Sequence, residues 1–100
     1  MQTGRIRHTV VFTPSEPEGS AGEEALLTAL AKLEAISGVE RFELLRQVSA
    51  KASYRYGASM EFADQAAYDG YNNHPDHVAF VRDHWVAGVA EFQELDFVAR

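Results

Sequence analysis

Cysteine is absent from the 100-residue chain. That excludes disulfides, thiolate nucleophiles and cysteine-based zinc or iron–sulfur sites. It also suits a reducing compartment, so a cytoplasmic location is expected. Positive charge is scarce: 9 Lys and Arg stand against 15 Asp and Glu, a formal net charge of −6. Only Arg5 and Arg7 lie close together, so nucleic acid and anionic membrane surfaces are not expected partners. Long apolar runs are missing as well. Nothing approaches the roughly 18 residues of a membrane span, and "MQTGRIRHTVVF" lacks the apolar stretch of a signal peptide. No glycine-rich phosphate loop is present, since Gly19 and Gly22 sit in an acidic loop. Repeats, low-complexity tracts and linkers are absent too, so a single domain over residues 1–100 is expected.

Apolar residues make up 46% of the chain and aromatics 11%, enough for a compact core. A chain this short still leaves roughly a third of its surface unburied on folding, which favours pairing with a second copy. "RIRHTVVFT" (Arg5–Thr13) is β-branched and ends at Pro14, a first strand in which Ile6, His8, Val10 and Phe12 share a face. Ser20 and Glu23 form a capping box ahead of Leu26, Leu27, Leu30, Leu33 and Ile36. This helical spacing predicts a helix over Ala21–Ser37, stopped by Gly38. Val39–Gln47 and Tyr54–Phe62 read as strands. Asp64 caps a short helix, Gln65–Asn73, and Pro75 opens another that runs to about Ala90. "FQELDFVA" gives a last strand. The order β-α-β-β-α-α-β is an α+β, ferredoxin-like plan with a four-stranded antiparallel sheet. Helices on one side leave the other sheet face, with Val11, uncovered. Two such faces packed together would make a homodimeric α/β barrel.

Four stretches, "IRHTVVF", "YRYGASMEF", "YNNHPDHVAFV" and "LDFVA", resemble the stress-responsive A/B barrel (Dabb) domain family over almost the whole chain. The most specific piece is His-Pro-x-His-Val at the start of the last helix. The resemblance implies the ferredoxin-like fold and the homodimer. Within the family, the pattern Tyr-x-x-His-Pro-x-His-Val-x-Phe is similar to that of the plant polyketide cyclase that makes olivetolic acid, and matches Tyr71, His74, Pro75, His77, Val78 and Phe80. By that resemblance Tyr71 and His77 are an acid–base pair and His8 lines the pocket. Most members of the family have no assigned reaction.

Helix geometry gives a reading of its own. At about 100° per residue, Val78, Val81 and Trp85 point within roughly 60° of one another, and His77 lies about 40° from Val81. His77 should therefore look toward the sheet, where His8 stands among Ile6, Val10 and Phe12. Two imidazoles facing an apolar interior suggest a ligand pocket with few polar groups. Burial disfavours imidazolium, so His77 is expected to be neutral and to act as the base, with the Tyr71 phenol as the acid. Val10, Phe12, Leu27, Leu30, Phe80 and Trp85 would form the wall against an apolar or aromatic small molecule. An aldol-type ring closure of a poly-β-keto chain needs no metal, and no cofactor is expected. His74 and His77, three apart, do not have the i, i+4 spacing usual for zinc on a helix.

A structural reading stands beside the catalytic one. In it His77 bonds loop backbone, His8 is a core histidine bonded to a neighbour, and the Tyr71 ring simply packs. His74 then caps a helix and His84 is partly exposed. The protein would be a non-catalytic dimeric stress-response or binding protein.

Overall fold

The alternation in "IRHTVVFTP" produces β1 (Ile6–Pro14) in a computed structural model that describes residues 1–100. Ile6, His8, Val10 and Phe12 are buried on one face. Tyr56, Ala58, Met60 and Phe62 of β3 (Tyr56–Phe62) lie directly opposite them in the antiparallel ladder, so the two buried faces coincide. The other edge of β1 pairs with β4 (Val89–Phe97), and β2 (Glu40–Arg46) pairs with β3. The sheet order is β2-β3-β1-β4, antiparallel throughout. This is the expected ferredoxin-like arrangement.

The first helix, α1 (Ala21–Ala31), starts where Ser20 Oγ accepts the Glu23 N–H at 3.2 Å. The reciprocal bond of the predicted capping box is displaced by one residue: Glu23 Oε1 accepts from the Gly19 N–H at 3.1 Å. The helix also stops short of the expected Ser37. Its end tightens into a 3₁₀ turn, Lys32–Ala35, where the Ile36 N–H donates to the Leu33 carbonyl at 3.1 Å. That turn buries Leu33 and Ile36 together. Gly38, with φ of 94°, then turns the chain toward β2.

Asp64 caps α2 (Gln65–Asn73), its Oδ1 accepting the Ala67 N–H at 2.8 Å. Pro75 opens α3 (Pro75–Phe80), which runs on through a π-helical turn, Val81–Trp85, into a last helical turn, Val86–Gly88. The helix expected to reach Ala90 therefore carries a wide turn, in which the Val86 N–H donates to the Val81 carbonyl, and ends at Gly88. At Gly88 the backbone passes so close to Leu26 that a Cβ would meet its Cδ1 at 3.3 Å. The last strand begins at once, at Val89 instead of Phe92. Val78, expected on the inner arc, is 50% exposed. The inner side is formed by His77, Phe80, Val81 and Trp85.

Between the helices and the sheet lies a core of 14 buried apolar residues. The opposite sheet face carries no helix. There Val11, Leu45, Leu95 and Phe97 stand among Thr9, Glu43 and Gln93, with Leu45 and Phe97 about half exposed. No helix is long and apolar enough to cross a membrane.

Candidate active site

A cavity of about 180 Å³ lies beneath α3 and the π turn, floored by β1 and β3 and flanked by β4. His8, Tyr71 and His77, distant in sequence, all line it. So do Val10, Leu30, Phe80 and Trp85. Two wall residues named from sequence lie elsewhere. Leu27 turns to the other side of α1, into a groove shared with Leu44 and Tyr56. Leu30 and Leu33, on the inner helix side, line the cavity instead. Phe12, two residues along β1 from Val10, is sealed behind Trp85, with ring centroids 5.2 Å apart. A larger open groove of about 700 Å³ runs between α1 and α3, and none of the three candidate catalytic side chains reaches it.

His8 is held from one side only. Its Nδ1 lies 2.6 Å from Asp96 Oδ1 and 3.0 Å from the Tyr68 hydroxyl, which itself donates to Asp96 Oδ2 at 2.8 Å. A carboxylate can only accept, so Nδ1 carries a hydrogen, and in the neutral ring Nε2 keeps a free lone pair. Burial, and then the hydrogen bond to Asp96, pushes the Tyr68 phenol up. The β1–β4 register places Asp96 directly opposite His8.

His77 repeats the arrangement with a weaker acceptor. Its Nδ1 lies 3.1 Å from the Asn72 carbonyl oxygen, again fixing the hydrogen on Nδ1. Burial holds its pKa below the ordinary histidine value, against the opposing pull of the Asn72 carbonyl. The ring is therefore neutral, with Nε2 an acceptor.

Tyr71 is the third element. Its ring is 2% exposed and sits 4.4 Å from His77, 5.1 Å from Phe62 and 6.3 Å from His8, centroid to centroid. No group of the chain hydrogen-bonds its hydroxyl. Burial pushes this phenol up, and neighbouring Tyr68 and Glu94 add to the effect. It stays protonated, a donor without an acceptor.

The remaining histidines are placed differently. His74 Nδ1 accepts the Asp76 N–H at 3.0 Å, capping α3. His84 is exposed and stacks on Phe80 at 5.9 Å. No three His, Asp or Glu side chains converge as a metal site would require. Sequence reasoning missed Tyr68, Asn72, Glu94 and Asp96. The one signal for Glu94 and Asp96 was their alternation with Phe92 along β4, which puts them on the face of His8 and Val10 once the register is known.

A four-stranded antiparallel sheet, helices on one face and a small polar-tipped cavity beneath the last helix define a ferredoxin-like α/β domain. The chain belongs to the stress responsive A/B barrel domain (Dabb) family, matched over residues 6–99. It is similar to a Dabb family protein with a ferredoxin-like fold from Mesorhizobium loti, with 56% identity, a TM-score of 0.95, and coverage of 98% of this chain and 99% of that one. Two more distant structures share the fold. One is a dimeric ferredoxin-like protein of unknown function from Thermobifida fusca, at 23% identity and a TM-score of 0.80, covering 98% and 93% of the two chains. The other is the hydroxynitrile lyase of Passiflora edulis, at 10% identity and a TM-score of 0.84, covering 99% and 96%. No curated protein matches the chain significantly.

Proposed function

We propose that the protein is a cofactor-free general acid–base catalyst of the polyketide-cyclase type, removing a proton next to a carbonyl of an apolar small molecule. The observation that carries this reading is Tyr71, a buried ring whose hydroxyl has no partner in the chain, beside two imidazoles whose Nδ1 atoms are already engaged. Tyr71 donates to the carbonyl oxygen. His77 Nε2 takes the C–H proton, and the electron pair moves onto that oxygen as an enolate stabilised by the phenol. His8, braced by Asp96, accepts from a second polar group of the substrate. A positioned acid–base pair contributes typically about 10²–10⁴-fold. The bare sheet face supports a homodimer, as does the dimeric state of the fold relative from Thermobifida fusca. That the fold also serves a lyase in Passiflora edulis is an analogy at the level of architecture.

The test is hydrogen–deuterium exchange at the α-methyl group of a panel of methyl ketones, followed by ¹H NMR in D₂O. The protein should accelerate exchange over buffer. Tyr71→Phe and His77→Ala should each remove about 10²–10⁴-fold of that acceleration while the fold survives. Exchange at the buffer rate throughout, or unaltered rates in both variants, overturns the reading.

One observation favours the alternative, a non-catalytic dimeric stress-response or binding protein: His8, His74 and His77 each have an in-chain partner at Nδ1. In that case His77→Ala lowers the melting temperature and no ketone exchanges faster than in buffer.

A further inference from the structure

The cavity's size, its hydrogen-bonding groups and its charge together restrict what it can hold. An engineered cavity of about 150 Å³ accommodates benzene, whereas drug-sized ligands occupy roughly 300–1,000 Å³. At about 180 Å³ the cavity matches one ring with a short substituent and is small for fused rings. Its apolar lining includes four aromatic residues, Tyr71, Phe80, Trp85 and Phe92, and such rings favour an aromatic guest in offset or edge contact.

The polar groups are few and their directions are fixed. Tyr71 offers a donor, so the guest must present an acceptor. His8 and His77 each have Nδ1 committed as a donor, so Nε2 of an unprotonated ring is left as an acceptor and the guest must present an O–H or N–H. A guest without an acceptor leaves the Tyr71 hydroxyl unpaired.

Charge excludes a further class. No Lys or Arg lines the cavity, and Glu94 is the one residue lining it that carries a formal charge. A carboxylate guest would find no counter-ion and would face Glu94. An ammonium would meet that carboxylate but supply no acceptor to Tyr71.

We infer that the cavity takes a neutral, single-ring hydroxyaryl carbonyl compound and rejects aromatic carboxylates, with Glu94 setting that rejection. This rests on the reading above for the site, although not on its being catalytic.

The probe is 4′-hydroxyacetophenone, titrated at pH 7, where its phenol is still mostly protonated, against protein carrying ¹⁵N in its histidine rings. Comparators are 4-hydroxybenzoate, in which a carboxylate replaces the acetyl group, and 6-acetyl-2-naphthol, which adds a second ring. The ketone should bind and shift the ring nitrogens of His8 and His77, while both comparators bind at least tenfold more weakly. Tyr71→Phe should weaken the ketone about tenfold, the value of one hydrogen bond. Glu94→Gln should narrow the gap between the ketone and 4-hydroxybenzoate. Equal or tighter binding of the benzoate or the naphthol, or ketone binding that moves neither histidine, overturns the inference. Ketone binding without α-proton exchange overturns the catalytic proposal and leaves this one standing. Exchange of methyl ketones together with preferred binding of the benzoate does the reverse.

Discussion

Two buried tyrosines in the same core end very differently. Tyr56, on β3, donates its hydroxyl to Glu23 Oε1 at 2.8 Å, and the Arg46 guanidinium covers its ring at 5.4 Å. Glu23 is completed by the Gly19 N–H and by Arg55 at 2.5 Å. Tyr71, under α3, has no acceptor at all. The chain can evidently close a polar network around a buried phenol where only stability is served. Leaving the other phenol bare forgoes a bond worth about 1 kcal/mol, and that omission is accounted for if a guest molecule completes it.

The comparison breaks most sharply under tyrosine-to-phenylalanine exchange. Tyr71→Phe should lower ketone exchange by about 10²–10⁴-fold. It should also leave the urea unfolding midpoint within experimental scatter, because no intramolecular bond is lost. Tyr56→Phe should do the opposite. It strips one donor from the buried Glu23 carboxylate, costing about 1–3 kcal/mol in urea unfolding, with exchange rates unchanged. Equal stability losses in the two variants would erase the distinction between the two ends of the core.

Smaller effects come from pH. Burial alone would raise the Glu23 carboxyl, but the Gly19 N–H, the Tyr56 hydroxyl and Arg55 together hold it below its ordinary 4.5. The folded protein then binds this proton less readily than the unfolded chain. The stabilisation is present above pH 4.5 and is lost as pH falls through the lower folded value. Glu23→Gln should flatten this acid limb in urea midpoints. His77 behaves in the same direction at higher pH: its folded pKa lies below 6.5 because of burial, so the unfolded chain protonates first and stability begins to fall as pH drops below 6.5. His77→Ala should remove that component alone. An unchanged pH profile in either variant would show that the group is not held as its surroundings indicate.

The architecture was readable because local signals agreed. Period-two alternation in β1 and β3, the caps at Ser20 and Asp64, and Pro75 each reported on their own few residues. Tyr71, His77 and His8 were also legible, two from the helix-start motif and one from strand alternation. What stayed hidden depended on pairing or on departures from regular helix. Asp96 acquires its meaning only from standing opposite His8 in the β1–β4 ladder, and that ladder also shifts register between Thr13 and Pro14. Tyr68 joins it from a separate helix. The π turn at Val81–Trp85 has no local residue pattern that a 3.6-residue period would detect, so a regular helix drawn from the sequence points Val78 inward and places the last strand from Phe92. Leu27 failed for a simpler reason. A helix as apolar as α1 offers more leucines than the inner face can use.

His8 and Asp96 are separated by 88 positions, nearly the full chain. During synthesis on a ribosome, which releases the N-terminal end first, the first imidazole emerges long before the carboxylate that orients it. Sheet pairing of β1 with β3 needs nothing beyond Phe62, whereas the brace on His8 waits for the final strand to emerge. A protease that trims the tail back to Leu95 would strike that brace while sparing every buried residue of the core. The C-terminal strand thus supplies the carboxylate that, together with the Tyr68 hydroxyl, aims this ring.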